Sequence, residues 1–321
     1  MSKTVLHLVD DTTAGGVMQV VNHLTSSPDH ARLAQHQSLK IKRGALMPPK
    51  VRADIVVSHL VVSWRTLPSL FALRLRYGRK RMIHVEHSYT EAFVQHNVPR
   101  RRRFETLLRL GFRQFNRIAA VSGGQLDWMR KRKLAPQDRM QLVRSYSDLT
   151  PFLDVQGGSG PIKHFGAVGR LERQKGFDEL IKAFRRTKDP ELRLTFFGTG
   201  GEEDRLKALA AGDERVEFAG FTATPQSAYR AVDAIVMPSR WEAYGLVAIE
   251  AICAGKPVIC SDVDGLRDHE AMGAKTFSYV SSQLFQQPCE KPRSIKTRKG
   301  LVEMLNRENY QAWRSLLAGC S

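Results

Sequence analysis

Residues 236–264, VMPSRWEAYGLVAIEAICAGKPVICSDVD, decide how this chain folds. The apolar run Ala234-Ile235-Val236-Met237 reads as a strand that stops at Pro238. A polar loop with Arg240, Trp241 and Glu242 follows. Gly245 opens a helix that closes at Gly255, and Val258-Ile259-Cys260 is the next strand. Strand, loop, helix, strand is the repeating unit of a parallel sheet. In such sheets ligands sit beyond the carboxyl ends of the strands, where helix N-termini offer free N–H groups. Glu242 lies in that loop, and Glu250 follows Gly245 by about 7 Å at ~1.5 Å of rise per residue. Two carboxylates suit hydroxyls and the neighbouring N–H groups suit phosphate, so the pattern fits a ligand that carries both, such as a nucleotide sugar. Two glutamates on a solvated helix would mean nothing. The apolar run Ala251-Ile252-Cys253-Ala254 argues that this helix is not solvated all round.

The run Glu242-Ala-Tyr-Gly-Leu-Val-Ala-Ile-Glu250, with Gly255-Lys256-Pro257-Val258 after it, resembles the Glu-x7-Glu signature of retaining nucleotide-sugar glycosyltransferases, family 4 in particular. The resemblance implies an α/β fold of two Rossmann-like domains facing a cleft, the GT-B architecture. It also implies roles. Glu250 would accept hydrogen bonds from ribose hydroxyls, and Glu242 would contact the donor sugar. The backbone N–H groups of Gly245 and Leu246 would face the phosphates, with Tyr244 beside them in the nucleotide-sugar site.

Gly169-Arg170-Leu171-Glu-Arg-Gln-Lys175-Gly176 follows a strand and opens a helix, and it resembles the family's Gly-Arg-Leu…Lys-Gly loop. There Arg170 and Lys175 would hold the donor diphosphate. The physics agrees, because breaking the sugar–diphosphate bond leaves negative charge on the leaving group, and cations fixed beforehand stabilise it best. A solvated basic loop is the alternative. Gly198 and Gly200, in Gly-Thr-Gly-Gly after another strand, would border the nucleotide, although a tight turn would look the same. Gly15 and Gly16 follow the first strand, Val5–Val9, without a full Gly-x-Gly-x-x-Gly; the resemblance turns them toward the cleft. His87 ends the strand Arg81–His87, where relatives place a histidine that contacts the transferred sugar. His84 and His59 are weaker candidates. Glu86 alternates to the other strand face from His87.

Strands and helices alternate throughout. Strands are expected at Asp54–Leu60, Ile118–Val121, Gln141–Tyr146, Lys163–Val168, Leu192–Phe197 and Val216–Phe218. Helices are expected at Val17–Leu24, Ser63–Tyr77, Gln125–Arg132, Phe177–Arg186 and Leu301–Leu317. The Gly157–Pro161 stretch reads as a linker, giving domains 1–156, for the acceptor, and 157–321, for the nucleotide-sugar donor. A terminal helix crossing back to the first domain is left open by the short tail. Arg144-Ser-Tyr-Ser-Asp148 stands where many relatives carry Asn-Gly-Val-Asp.

Net charge is +18, and it is lopsided. Residues 1–150 hold 26 Lys and Arg against 10 Asp and Glu, while 151–321 hold 24 against 22. The first half therefore faces something anionic. Arg100, Arg101, Arg102 and Arg103 precede Phe104, Leu107, Leu108, Phe112 and Phe115, which share one helical face. Arg79-Lys80-Arg81 and Arg130-Lys131-Arg132-Lys133 add two clusters. Two readings compete: a core-packed helix with a solvated cationic back, or docking to anionic lipid heads. The second is favoured, with a lipid-linked saccharide as acceptor; a soluble acceptor is the rival. A nucleic-acid partner is not expected, since the basic runs lack an aromatic stacking platform or a nucleic-acid module. The start MSKTVLHLVDD has no long apolar segment and no 18-residue apolar run follows, so a cytoplasmic chain, peripheral on the membrane, is expected. Cys253, Cys260, Cys289 and Cys320 show no metal-ligand spacing and read as reduced thiols. Asp262-Val263-Asp264 invites a metal reading, because a different transferase fold holds a metal with Asp-x-Asp, but here the triplet trails a late strand. No metal and no cofactor are expected, because Arg170, Lys175 and a helix N-terminus already face the diphosphate.

Overall fold

The computed structural model describes residues 3–13, 15–46, 51–78, 81–156, 160–222, 224–286 and 294–318. The chain divides into two compact units, Met1–Ser147 with Leu305–Ser321, and Asp148–Met304. In the first, the elements run β1 (Thr4–Val9), α1 (Gly16–Ser26), α2 (Pro28–Leu33), β2 (Gln35–Lys40), β3 (Ile55–Ser58), α3 (Leu67–Tyr77), β4 (Arg81–Glu86), α4 (Glu91–Asn97), α5 (Arg101–Phe112), β5 (Arg117–Ala120), α6 (Gly123–Lys131) and β6 (Met140–Leu142). In the second they run β7 (His164–Val168), α7 (Phe177–Arg185), β8 (Arg193–Phe197), α8 (Glu203–Ala210), β9 (Val216–Gly220), α9 (Pro225–Arg230), β10 (Ala234–Met237), α10 (Leu246–Cys253), β11 (Val258–Ser261) and β12 (Lys275–Phe277). The last helix, α11 (Ile295–Ala318), contributes residues up to Met304 to the second unit and from Leu305 to the first.

Each unit carries a six-stranded sheet, ordered β2-β1-β3-β4-β5-β6 and β12-β11-β10-β7-β8-β9. Every strand pair is parallel. The strands β1, β3, β10 and β11 are mostly apolar and almost wholly buried, as parallel strands covered on both faces must be. In the first sheet the order reverses between β1 and β3, and in the second between β7 and β10. At such a reversal the loops leaving two adjacent strands diverge and open a crevice, the usual ligand position of an open α/β sheet.

The unit division falls earlier than the expected 156/157 boundary, and the tail from Leu305 groups with the first unit rather than the second. Gly157, Gly158 and Ser159 lie outside the described residues, as do Arg79, Lys80, Cys289 and Cys320. Cys253 and Cys260 are free and buried. Strand β2, QHQSLK, was not expected: it is an edge strand with a mostly exposed polar face, so it lacks the apolar run that marks its neighbours. The helix expected from Ser63 begins only at Leu67, because Ser63 and Thr66 hydrogen-bond each other in a turn and Pro68 sits at the helix start.

The amphipathic face of α5 also needs correcting. Leu107, Leu108, Phe112 and Phe115 are each at most 2% exposed and belong to the core of the first unit. A Cβ on Gly111 would meet Val62 Cγ1 at 2.5 Å, which shows how closely α5 packs. The apolar face of this helix is therefore taken up by folding, and its exposed residues are Arg101, Arg102, Arg103 and Thr106, with Arg100 exposed before it and Arg113 after it.

Candidate active site

The loops leaving β7 and β10 meet because these strands are neighbours, with Phe165 paired to Ala234 and Gly166 to Ile235. Four contacts join them. Arg240 N donates to Gln174 O at 2.8 Å, and Gln174 Nε2 donates to Trp241 O at 3.0 Å. Arg240 Nη1 donates to Arg173 O at 2.8 Å. Lys175 Nζ lies 2.5 Å from Glu242 Oε2, with both side chains mostly buried at 15% and 13% exposure. Glu242 also accepts from Ser239 Oγ at 3.3 Å. Arg170, in the same loop as Lys175, is exposed. A fixed lysine, a carboxylate and an open guanidinium thus stand at the reversal point of the second sheet.

Close backbone approach explains the glycines. Gly176 has φ 67°, and a Cβ there would lie 2.1 Å from Pro238 O, so only glycine lets the two loops touch. Gly198 has φ 140°, and its Cβ would lie 2.0 Å from Gly169 O. At Gly200 the clash would be with Leu171 O at 2.4 Å. Gly198 and Gly200 therefore have a packing reason to be glycine, independent of any nucleotide.

Helix α10 begins after Gly245, which caps it at φ 90° with no side-chain cap. Six of its residues, Ala248 to Cys253, are buried, so it is a core helix rather than a surface one. Arg298 Nη1 donates to Cys253 O at 2.8 Å and satisfies a carbonyl at its C-terminus. Glu250 is 3% exposed and accepts from Tyr229 Oη at 2.6 Å. Burial raises the Glu250 pKa, while the Tyr229 hydroxyl and the Lys175 charge pull it back down. Tyr244 is also buried; its carbonyl accepts from His269 Nε2 at 2.8 Å, and the two rings meet edge-on. Asp264, at φ 41°, accepts from Glu242 N at 3.3 Å. Asp262 pairs with Arg267 at 2.5 Å. Among the described residues no cluster of three or more His, Cys, Asp or Glu could hold a metal ion.

Reading the sequence missed Tyr229, Gln174 and the Arg240–Asp178 pair, whose Oδ1 lies 2.9 Å from Arg240 Nη1. Burial pushes the Asp178 pKa up, but the Arg240 bonds outweigh it and the net shift is downward. Nothing around Tyr229 in the chain marks it; only the position of α9 brings it under α10.

The remaining candidates belong to the first unit. Gly16 opens α1, and Gly15 caps it with extended backbone, where added bulk would meet nothing nearer than 4.0 Å. His87 follows β4, half-buried, with Nε2 2.8 Å from His59 Nδ1. His59, the weaker candidate, is thus the partner of His87. Glu86 accepts instead from Ser88 N and Tyr89 N and lies 3.3 Å from His84 Nε2.

The two parallel six-stranded sheets match structures of GT-B glycosyltransferases. Residues 160–284, which carry the whole β7–β10 site, match the family Glycosyl transferases group 1. Among curated relatives, the D-inositol 3-phosphate glycosyltransferase of Pseudarthrobacter chlorophenolicus is 30% identical over 240 residues, covering 68% of this chain and 56% of that protein. The chain spans about half the length, or less, of the curated relatives it matches, 30%, 56% and 29% for three of them. Anabaena HepE, solved with UDP and glucose, superposes with a TM-score of 0.72 at 16% identity, over 98% of this chain and 99% of that one. The lipopolysaccharide outer core galactosyltransferase WaaB, in its apo form, gives 0.66 at 14% identity, over 98% and 99%.

Proposed function

We propose that this chain is a retaining, family 4-like glycosyltransferase that moves a sugar from a nucleotide diphosphate sugar to a lipid-linked saccharide, without a metal. The observation that carries this reading is the Lys175–Glu242 contact beside exposed Arg170, at the sheet's reversal point. Arg170 and Lys175 hold the diphosphate and stabilise the charge that develops on it as the sugar leaves. Glu242 orients the donor sugar and steers the Lys175 ammonium. Glu250, braced by Tyr229, accepts the ribose hydroxyls. The N–H groups of Gly245 and Leu246 face phosphate. The match of residues 160–284 to group 1 transferases supports the reaction class, and HepE's UDP and glucose support a nucleotide-sugar donor. A thermal-shift panel of nucleoside diphosphates and their sugars tests it, since a ligand at 100 times its dissociation constant adds about 2.7 kcal/mol. No shift with any member removes the donor site. Full activity in excess chelator is expected; activity lost there and restored by Mn²⁺ would revive Asp262 and Asp264 as ligands.

The acceptor side of the reading is peripheral attachment to an anionic, cytoplasmic membrane face. No described helix is long and apolar enough to cross a membrane. The support is the positive first half together with exposed apolar groups: Trp64 at 46%, Phe71 at 44% and Leu75 at 88%. Phe71 and Leu75 are one turn apart on α3, and Arg103 stacks over Trp64 at 5.4 Å. Arginines beside aromatic and aliphatic groups suit a headgroup boundary. Attachment should weaken steeply with salt, because each Lys or Arg contributes about 1 kcal/mol within a Debye length of ~8 Å. Co-sedimentation with anionic and neutral vesicles decides it: equal binding to both, or none to either, favours a soluble acceptor.

A further inference from the structure

Four histidines form a continuous hydrogen-bonded row across the first sheet. His36 Nδ1 lies 2.9 Å from His7 Nε2, His7 Nδ1 lies 2.9 Å from His59 Nε2, and His59 Nδ1 lies 2.8 Å from His87 Nε2. Adjacent rings are near-parallel, with centroids 5.2, 5.2 and 5.1 Å apart. Sheet register produces the row. His36 pairs with Val5, two residues before His7, and His7 pairs with Val57, two residues before His59. Ser58 pairs with His84, so the next rung sets His59 opposite Val85, two residues before His87. Each strand thus advances the histidine by two residues, which keeps every ring on one face.

The links run head to tail, always Nδ1 to Nε2. A neutral imidazole has one N–H and one lone pair. If His36 donates through Nδ1, then His7, His59 and His87 must all be protonated at Nδ1. If His87 donates through Nε2, all four must be protonated at Nε2. Any mixed arrangement sets two N–H groups, or two lone pairs, against each other in a row whose central rings, His7 and His59, are buried and find no water. The row therefore has two collective states. Nδ1 of His87 is outside these bonds, and its role as donor or acceptor is dictated by the state of the whole row.

We propose that His36, His7 and His59 are positioning residues that hold His87 neutral and in one tautomer, shared by all four rings, so that its free nitrogen has a single hydrogen-bonding role. The role of His87 itself rests on the reading of this residue as a sugar contact. Burial, reinforced by neighbouring rings, lowers the pKa of His7 and His59 well below the usual value. Burial alone lowers His36 to about 4, and it outweighs nearby Glu86 to bring His87 to about 4 as well. His30 and Trp313 pack against the His36 end; at the other end His84 lies with Glu86 on the opposite strand face and lowers the His87 pKa through its charge. At His36 the outer nitrogen, Nε2, is buried without a partner among the described residues, so this end exchanges no proton with water directly.

The test is long-range ¹H–¹⁵N correlation of the whole chain labelled in histidine, across neutral and mildly acidic pH. The four rings should show one and the same tautomer, none titrating near pH 6.5. Different tautomers among the four, a mixture at His87, or ordinary titration of His87 overturns the proposal, whether or not the protein transfers sugar. His36→Phe, separated from His87 by two intervening rings, should turn its single tautomer into a mixture; His36→Gln, whose amide donates or accepts, should restore it. An unchanged His87 in His36→Phe, or no rescue by Gln, is equally fatal. If transfer is confirmed, kcat should fall about tenfold in His36→Phe, the effect of one neutral hydrogen bond, with donor KM unchanged, and recover in His36→Gln. Absence of any transfer in the parent protein would fail the functional reading and leave the spectra to judge the row.

Discussion

Lys175 Nζ and Glu242 Oε2 stand 2.5 Å apart although the residues are separated by 67 positions in the chain. The contact depends on β7 lying beside β10, and on Gly176, which lets the backbone of one loop rest against Pro238 of the other. It fixes a cation at the mouth of the second sheet before any ligand arrives, which is what electrostatic stabilisation of a leaving group requires.

Arg170→Ala and Lys175→Ala should each lower turnover by roughly 10²–10³-fold, as for loss of an electrostatic stabiliser. Their stabilities should differ. Arg170 is exposed and its loss should leave the melting temperature unchanged, whereas Lys175→Ala strips Glu242 of its partner and should lower it. Steady-state kinetics beside thermal melts separate the two effects; near-normal turnover in both variants removes these residues from the mechanism.

Glu250→Ala should weaken nucleotide binding by about 1.5–3 kcal/mol, the range for a hydrogen bond to a charged acceptor. Tyr229→Phe removes a bond that favours the charged carboxylate, so burial should push the Glu250 pKa further up. Nucleotide affinity in that variant should consequently rise with pH more steeply than in the parent. Calorimetric titration over a pH series reads both, and unchanged affinity in Glu250→Ala contradicts the ribose role.

Gly198→Ala should cost about 1–3 kcal/mol, the range for a residue held in a rarely populated backbone region. The reason is its φ of 140° and a Cβ 2.0 Å from Gly169 O. Gly201→Ala is the control, because its nearest contact would be the Glu172 side chain at 3.7 Å. Urea midpoints of the pair should diverge, and equal midpoints would show that the loop relaxes freely.

Stability of the first unit should fall as pH drops from 6.5 toward 4. Burial holds His30, His36 and His87 near 4 in the folded chain against 6.5 ordinarily. Within that window the unfolded chain binds more protons than the native one, so acid favours unfolding, and the contribution is complete only above the unfolded pKa. His7 and His59, lowered further, act in the same direction. Urea unfolding monitored by hydrogen exchange of β1 and β3 amides should show this slope; flat stability across the window would mean that these rings are not neutral in a buried row.

The strand–loop–helix–strand unit at Ala234–Ser261 was legible in the chain, because apolar runs, a polar loop and two glycines are local signals. The placement of Arg170, Lys175, Glu242 and Glu250 near strand ends or helix starts was legible too, while the Lys175–Glu242 contact was not. Strand β2 was not legible, because an exposed polar edge has no hydrophobic period. The face of α5 was legible as a face, but not for what covers it.

By itself the sequence determined that strands and helices alternate, that they come in two sets, and where loops with chemically useful groups begin. Backbone propensity and side-chain period act over a few residues, and they suffice for that. Only the tertiary structure decided that β7 lies beside β10 and β1 between β2 and β3. Strand order follows from how a whole sheet buries its faces, and no local period encodes it. Hence Lys175 finding Glu242, Tyr229 finding Glu250, and four histidines falling into one row across four strands are properties of the sheets, visible only when the register between distant strands is known.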